Sequence, residues 1–163
     1  MLLALLLMLD PGQAMPPLEG NFLSGRKAVL PTAAQGRVAL VALGFTYDSR
    51  HAVESWTKRF RKEFSGQPRV TFFEVPMLGG AGRLGKWFIE GGMRRNTPKE
   101  NHENVITVYS NVDSWKKEAG FQAPDDAYLF LIDPQGVVRW KYHGKLDEAA
   151  FGALAGETRV LAK

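Results

Sequence analysis

Cysteine is absent from this 163-residue chain. Disulfides, thiolate nucleophiles and thiolate-bound metals are excluded together. The compartment stays open, because a cysteine-free chain folds equally well in oxidising or reducing surroundings. Histidine is nearly as scarce: His51, His102 and His143 stand far apart and lack metal-ligand spacing. No apolar run reaches the roughly 20 residues that a membrane-spanning helix needs. There is no internal repeat and no linker. The basic clusters lack the interleaved aromatics and modules of nucleic-acid binders, so nucleic acid is not an expected partner.

What is present suits one globular domain. Hydrophobic residues make up 45% and charged residues 23%, ordinary usage for a folded chain with a real core. The net charge of +4 (sequence pI near 9.4) collects at Lys58–Lys62 and Arg94–Lys99. Either cluster suits an acidic partner or an anionic membrane surface, and a solvated face is the plainer reading. Met1 to Leu9 is apolar and is followed by Asp10-Pro11-Gly12-Gln13-Ala14. Residues 1–14 are expected to be a signal peptide or N-terminal anchor, with Gly12 and Ala14 as small residues at a cleavage site, although the usual basic start is missing. Residues 15–163 are expected to form the domain.

Hydrophobic periodicity sets the element order. Phe22-Leu23, Ser24-Gly25 and Lys27 to Leu30 form a small hairpin with Ser-Gly as its turn. Val38 to Phe45 is an almost continuous apolar run, the pattern of a strand covered on both faces. Val53, Trp56, Phe60 and Phe64 recur at helical spacing, with Lys58, Arg59, Arg61 and Lys62 on the wet side. Arg69 to Val75 is the next strand. A glycine-rich turn precedes a helix from Leu84 to Ile89 that ends near Gly91-Gly92. Val105 to Tyr109 is a third strand, and Asp113 caps a short helix from Ser114 to Ala119. Ala127 to Asp133 and Val137 to Tyr142 make a hairpin about Pro134-Gln135-Gly136, and Asp147 caps a last helix from Glu148 to about Ala155. Alternating strands and helices predict an α/β three-layer sandwich: a central mixed sheet, largely parallel with an antiparallel edge, helices on both faces and an N-terminal hairpin.

This order, with Pro17-Leu18-Glu19-Gly20, the Val38 to Phe45 strand and its loop, and Leu131-Ile132-Asp133-Pro134-Gln135-Gly136, resembles the thioredoxin-like superfamily in its peroxiredoxin-type form. The resemblance implies a reactive cysteine in the loop or first helical turn after the strand, where Asp48, Ser49, Arg50 and His51 stand instead. Ser49 as a nucleophile would need a base, an orienter and an oxyanion hole, and the sequence offers no such set. Ser49 and Asp48 are expected to cap the helix. The cis-proline that thioredoxins place before the hairpin strand is missing, with Ala127 in its neighbourhood. Gly44-Phe45-Thr46 and the Leu-Ile-Asp-Pro-x-Gly turn are also similar to the thioredoxin-like copper chaperones of cytochrome oxidase assembly. Their ligand positions correspond to Asp48, Ala52 and Asp125, which offer copper(I) no sulfur. A hard-metal site from Asp48, Asp125 and His51 is the alternative, and surface carboxylates are the plainer one. No metal or cofactor is expected.

Leu131-Ile132-Asp133 followed after four residues by Val138-Arg139-Trp140 is similar to the ATPase-complex-subunit-ten family of mitochondrial ATP synthase assembly factors. Pro76-Met77-Leu78, Gly92-Met93-Arg94 with Pro98, and Gly144 with Glu148 extend the match. The resemblance implies a thioredoxin-like fold without the redox pair, acting in assembly of the membrane sector.

Gly80-Ala81-Gly82-Arg83-Leu84-Gly85 is a literal G-x-G-x-x-G, and Lys86 completes G-x-x-x-x-G-K with Trp87 in place of the magnesium-binding Ser/Thr. A glycine loop is the plainer reading, with Arg83 and Lys86 as anion-binding candidates. Arg139 and Trp140 are candidate partner contacts, set evenly against a solvated Arg139 and a core Trp140. Met77 and Leu78 are a further candidate apolar contact, with core packing the commoner fate. The expected function is a non-enzymatic chaperone or assembly factor that binds a protein client, possibly a membrane-complex subunit, with possible membrane-surface contact. The alternative is a degenerate redoxin-type enzyme or ligand binder using residues 46–51 or Gly79 to Lys86. Export to the periplasm or a membrane face is expected, with the mitochondrial inner membrane as the alternative.

Overall fold

The computed structural model describes residues 8–80 and 85–163. The elements are β1 (Leu18–Phe22), β2 (Lys27–Leu30), β3 (Val38–Gly44), α1 (Arg50–Glu63), β4 (Val70–Pro76), α2 (Lys86–Asn96), β5 (Ile106–Thr107), α3 (Val112–Ala119), β6 (Ala127–Ile132), β7 (Val138–Gly144) and α4 (Glu148–Leu161). Short 3-10 turns cover Thr32–Ala34 and Lys99–Asn104.

The fold is an α/β thioredoxin-like sandwich around a mixed sheet of order β4-β3-β6-β7. Strand β3 is buried at all seven positions because both of its faces are covered. Ala39, Val41 and Leu43 face one core with the N-terminal hairpin and Trp115 of α3. Val38, Leu40 and Ala42 face the other, against Val53, Trp56 and Phe60 of α1 and Phe151 and Leu154 of α4. Burying each such Leu or Phe is worth about 1.5–3 kcal/mol, so β3 is the energetic spine. Trp56 is fully buried and places its indole N–H 3.1 Å from the Gly144 carbonyl, so the deepest aromatic keeps its hydrogen bond.

Several expectations are corrected. The sheet is less parallel than alternation implied: β3 runs parallel only to β4, and β6, antiparallel, takes the central place beside it. The Val105 to Tyr109 strand is divided. Its two regular residues pair with β1, giving a second sheet of order β2-β1-β5, while Val105 and Val108 touch the main sheet by single bridges to Glu74 and Met77. Gly20 permits this close approach, since a Cβ there would lie 2.5 Å from the Thr107 carbonyl. Helix α2 does not stop at Gly91-Gly92 but continues to Asn96, and α4 continues to Leu161. Asp113 lies in the first turn of α3 and is not its cap; Asn111 precedes the helix in left-handed geometry. Asp147 does cap α4, accepting from the Ala150 amide at 2.8 Å.

Residues 9–15 lie on the fold. Leu9 and Met15 are core residues, the Leu9 amide donates to Glu118, and the Gly12 and Val138 amides each donate across to the other segment. Among the described residues no helix is long and apolar enough to cross a membrane.

Candidate functional site

The loop joining β3 to α1 is closed by two reciprocal side chains. Ser49 Oγ donates to the Thr46 carbonyl at 2.6 Å and accepts from the Thr46 amide at 3.2 Å. Thr46 Oγ1 accepts from the Ser49 amide at 3.1 Å and donates to the Pro124 carbonyl at 2.8 Å, tying this loop to the α3–β6 loop. Ser49 stands at the N-cap position of α1, and its bonds with Thr46 close the turn before the helix in a reciprocal pattern like that of a capping box. Ser49 makes no side-chain cap bond to α1 and is fully buried. Its one proton is committed to a carbonyl and no base is bonded to it, so it lacks the activation a serine nucleophile requires.

The other loop residues point outward. Tyr47 is 79% exposed, and the Arg50 guanidinium lies 3.6 Å from its ring centroid while donating to the Tyr47 carbonyl at 2.8 Å. Asp48 sits 3.8 Å from Arg50, and His51 is exposed. The result is a cation-backed aromatic knob, built from two of the residue types enriched in interface hot spots. Sequence reasoning missed Tyr47, because one tyrosine in a polar loop gives no periodic signal.

The strand ends gather the neighbours of this loop. The Met77 amide donates to Gly44 at 2.8 Å and the Leu78 amide to Val108 at 2.8 Å, so the Met77-Leu78 pair sits at the carboxyl end of β3 beside the loop. This is the end of an open α/β sheet where ligands usually bind. Met77 itself is buried in the core, and only Leu78 is partly open. Asp48, His51 and Asp125 do not gather: no group of three His, Asp or Glu able to hold a metal occurs among the described residues.

Arg139 and Trp140 lie elsewhere. Trp140 pairs with Leu131, which pairs with Leu40, four residues before Gly44 and so about 13 Å from the loop along the strand. Trp140 is half-buried, stacked on Tyr142 at 5.9 Å and packed near Trp56. Arg139 is bonded to buried Asp133.

Arg83 and most of the G-x-G-x-x-G lie outside the described residues. Lys86 opens α2, with its Nζ 5.2 Å from the Tyr109 ring centroid, beside a groove of ≈ 500 Å³ that also meets Lys27, Asn21, Ser110 and Glu19. Burial, with the nearby Glu90 charge, pushes the Tyr109 phenol up to about 12.

The family model of the ATP10 protein matches residues 9–161, nearly the whole chain. The chain belongs to the ATP10 protein family. Among solved structures, the thioredoxin domain of a thiol-disulfide oxidoreductase from Bacteroides vulgatus is 16% identical at a TM-score of 0.65, covering 92% of this chain and 99% of its own. A Sco-family cytochrome c oxidase assembly protein, BsSco, is 15% identical at a TM-score of 0.65, covering 95% and 97%. A peroxiredoxin-like protein from Aquifex aeolicus is 18% identical at a TM-score of 0.64, covering 94% and 88%. Identities this low establish the thioredoxin-like fold alone. No curated protein matches at a significant level. This family member holds no cysteine, so disulfide exchange, which needs an attacking thiolate, has no nucleophile here.

Proposed function

We propose that this protein is a non-catalytic assembly factor for a membrane complex of the ATP synthase type, and that it grips a protein client with the face formed by Tyr47, Arg50, Leu78 and the Pro124 loop. The carrying observation is the state of the β3–α1 loop: Ser49 is buried and saturated with hydrogen bonds, while Tyr47 and Arg50 project from it. A fixed aromatic–arginine pair costs little conformational entropy on binding and suits an interface anchor. Membership of the ATP10 family supports the client class and action at the mitochondrial inner membrane.

The test is deletion in the native host followed by native-gel measurement of assembled ATP synthase, with complementation by wild type and by Tyr47→Ala/Arg50→Ala. Loss of assembly on deletion, restored by wild type and not by the double variant, is expected. Normal assembly in the deletion strain would sink the function; full rescue by the double variant would sink the site.

A second reading rests on the groove at Lys86. Lys27, Lys86 and the Tyr109 phenol line it and suit a small anion, and the sequence offers Arg83 as a further candidate. Thermal-shift titration with inorganic phosphate and nucleotides, repeated on Lys86→Ala, checks it: a stabilisation lost in the variant supports binding, and no shift with any anion rejects it.

A further inference from the structure

Helix α2 is fixed to the fold by its polar side and turns its aromatic residues outward, the reverse of an ordinary surface helix. Glu90 is the buried residue of this helix, and its Oε1 accepts from Thr107 at 2.8 Å. Arg94 Nε donates to the Leu23 carbonyl at 2.8 Å. On the outside, Trp87 and Phe88 are 77% and 67% exposed and meet edge to face with centroids 6.1 Å apart.

Helical geometry places Trp87, Gly91 and Arg95 in one stripe with Phe88 alongside. Among the described residues a Cβ added at Gly91 or Gly92 would meet only the Arg95 guanidinium, so the face beyond the aromatics is flat and open. Its charge has one sign. Within α2 the sole carboxylate is Glu90, which is buried, while Lys86 and Arg95 meet no exposed acid of that helix.

We infer that this face of α2 rests on an anionic lipid bilayer surface, with Trp87 and Phe88 seated at headgroup level and Arg95 against lipid phosphates. Aromatic side chains with an apolar body and adjacent cations settle at that depth, and the cations add attraction to anionic lipid. The contact is shallow, since the 11 residues of α2 span only about 16 Å. A flat face with two glycines and one sign of charge matches a planar, fluid anionic surface better than a shaped protein pocket. The inference stands on α2 alone and does not depend on what the Tyr47 face binds.

Purified full-length protein is mixed with phosphatidylcholine vesicles with or without phosphatidylglycerol, and binding is read by co-sedimentation and tryptophan emission. Trp87 is the tryptophan in water, since Trp56 and Trp115 are buried and Trp140 is half-buried. Binding to the anionic vesicles only, with a blue shift and quenching by brominated acyl chains, is expected. Trp87→Ser/Phe88→Ser and, separately, Arg95→Glu should weaken binding by about tenfold or more at unchanged Tm, each basic residue near an anionic surface being worth about fivefold. Added salt should weaken it too. Equal binding to uncharged vesicles, no binding to either, or unchanged affinity in these variants would overturn the inference. So would full vesicle binding by the double variant accompanied by loss of a co-purified protein, which would make the face a protein-docking site. If the double variant fails to fold, Arg95→Glu and the salt dependence still decide.

Discussion

Arg139 is the extra residue of a bulge in the β6–β7 hairpin, and its Nε donates to Asp133 Oδ2 at 2.7 Å. Leu131 pairs with Trp140 and Ile132 with Val138, so Arg139 has no partner across the strand and its side chain turns back to the turn residue. Asp133 Oδ1 accepts from the Gln135 amide at 2.9 Å and the Val137 amide at 3.0 Å. Burial alone would raise the Asp133 carboxyl; the two amides and Arg139 together outweigh it and hold the carboxyl below its ordinary range. This arginine serves the hairpin.

Asp133→Asn should therefore destabilise the fold by about 1–2 kcal/mol at neutral pH, since an amide cannot satisfy Arg139 and both backbone donors. A lowered acid contributes stability above its unfolded-state pKa and loses it as pH falls through the folded-state value. Urea melts should show the gap between wild type and variant closing at acidic pH. A gap that stays constant with pH would disprove the charge contribution.

Ser49→Ala should cost about 1–2 kcal/mol, because it strands the half-buried Thr46 amide and carbonyl that Ser49 satisfies. Gly44→Ala is expected to destabilise as well: its Cβ would lie 2.7 Å from Ser49 Oγ and 3.2 Å from Val53. Thermal melts of the two single variants and the double variant should be non-additive, since both act on one contact.

Glu74 provides an opposite pH signature. Burial raises its carboxyl pKa, and the hydrogen bond from Thr57 offsets this only in part. An acid raised in the folded state weighs against folding once ionised, and the burden lifts as pH falls into its titration range. Glu74→Gln should raise Tm at neutral pH and leave it unchanged at low pH. A lower Tm at neutral pH would contradict this.

Glu90 is the polar peg of α2. Glu90→Ala removes the shorter of the two acceptors of the buried Thr107 hydroxyl, leaving it the Asn21 carbonyl at 3.3 Å, and should cost about 1 kcal/mol. Because Glu90 is the buried residue of that helix, the loss should appear first as faster amide hydrogen exchange across residues 86–96. Uniform loss of protection over the whole chain would mean the helix is not a separate unit. Glu90→Gln keeps an acceptor and should retain most protection.

The fold was legible in one dimension wherever burial is periodic. The apolar run at Val38, the stripe Val53–Trp56–Phe60 and the turn Pro134-Gln135-Gly136 each state their own geometry, because a helix face or a two-sided strand repeats at a fixed spacing. The absence of cysteine likewise decided by itself that thiol chemistry is excluded. The site was not legible in that way. Whether Tyr47 and Trp87 face solvent, whether Met77 is buried in the core and whether Arg139 is tied to Asp133 depends on strands distant in sequence. The insertion of β6 beside β3, the split of the Val105 to Tyr109 strand and the bulge at Arg139 are all set by cross-strand packing. Two adjacent aromatics, Trp87 and Phe88, cannot both enter a core already filled by the hairpin, and the polar Glu90–Thr107 contact turns them out. Local spacing fixes which element a residue joins; only the packing of the assembled layers decides which side chains remain for a partner.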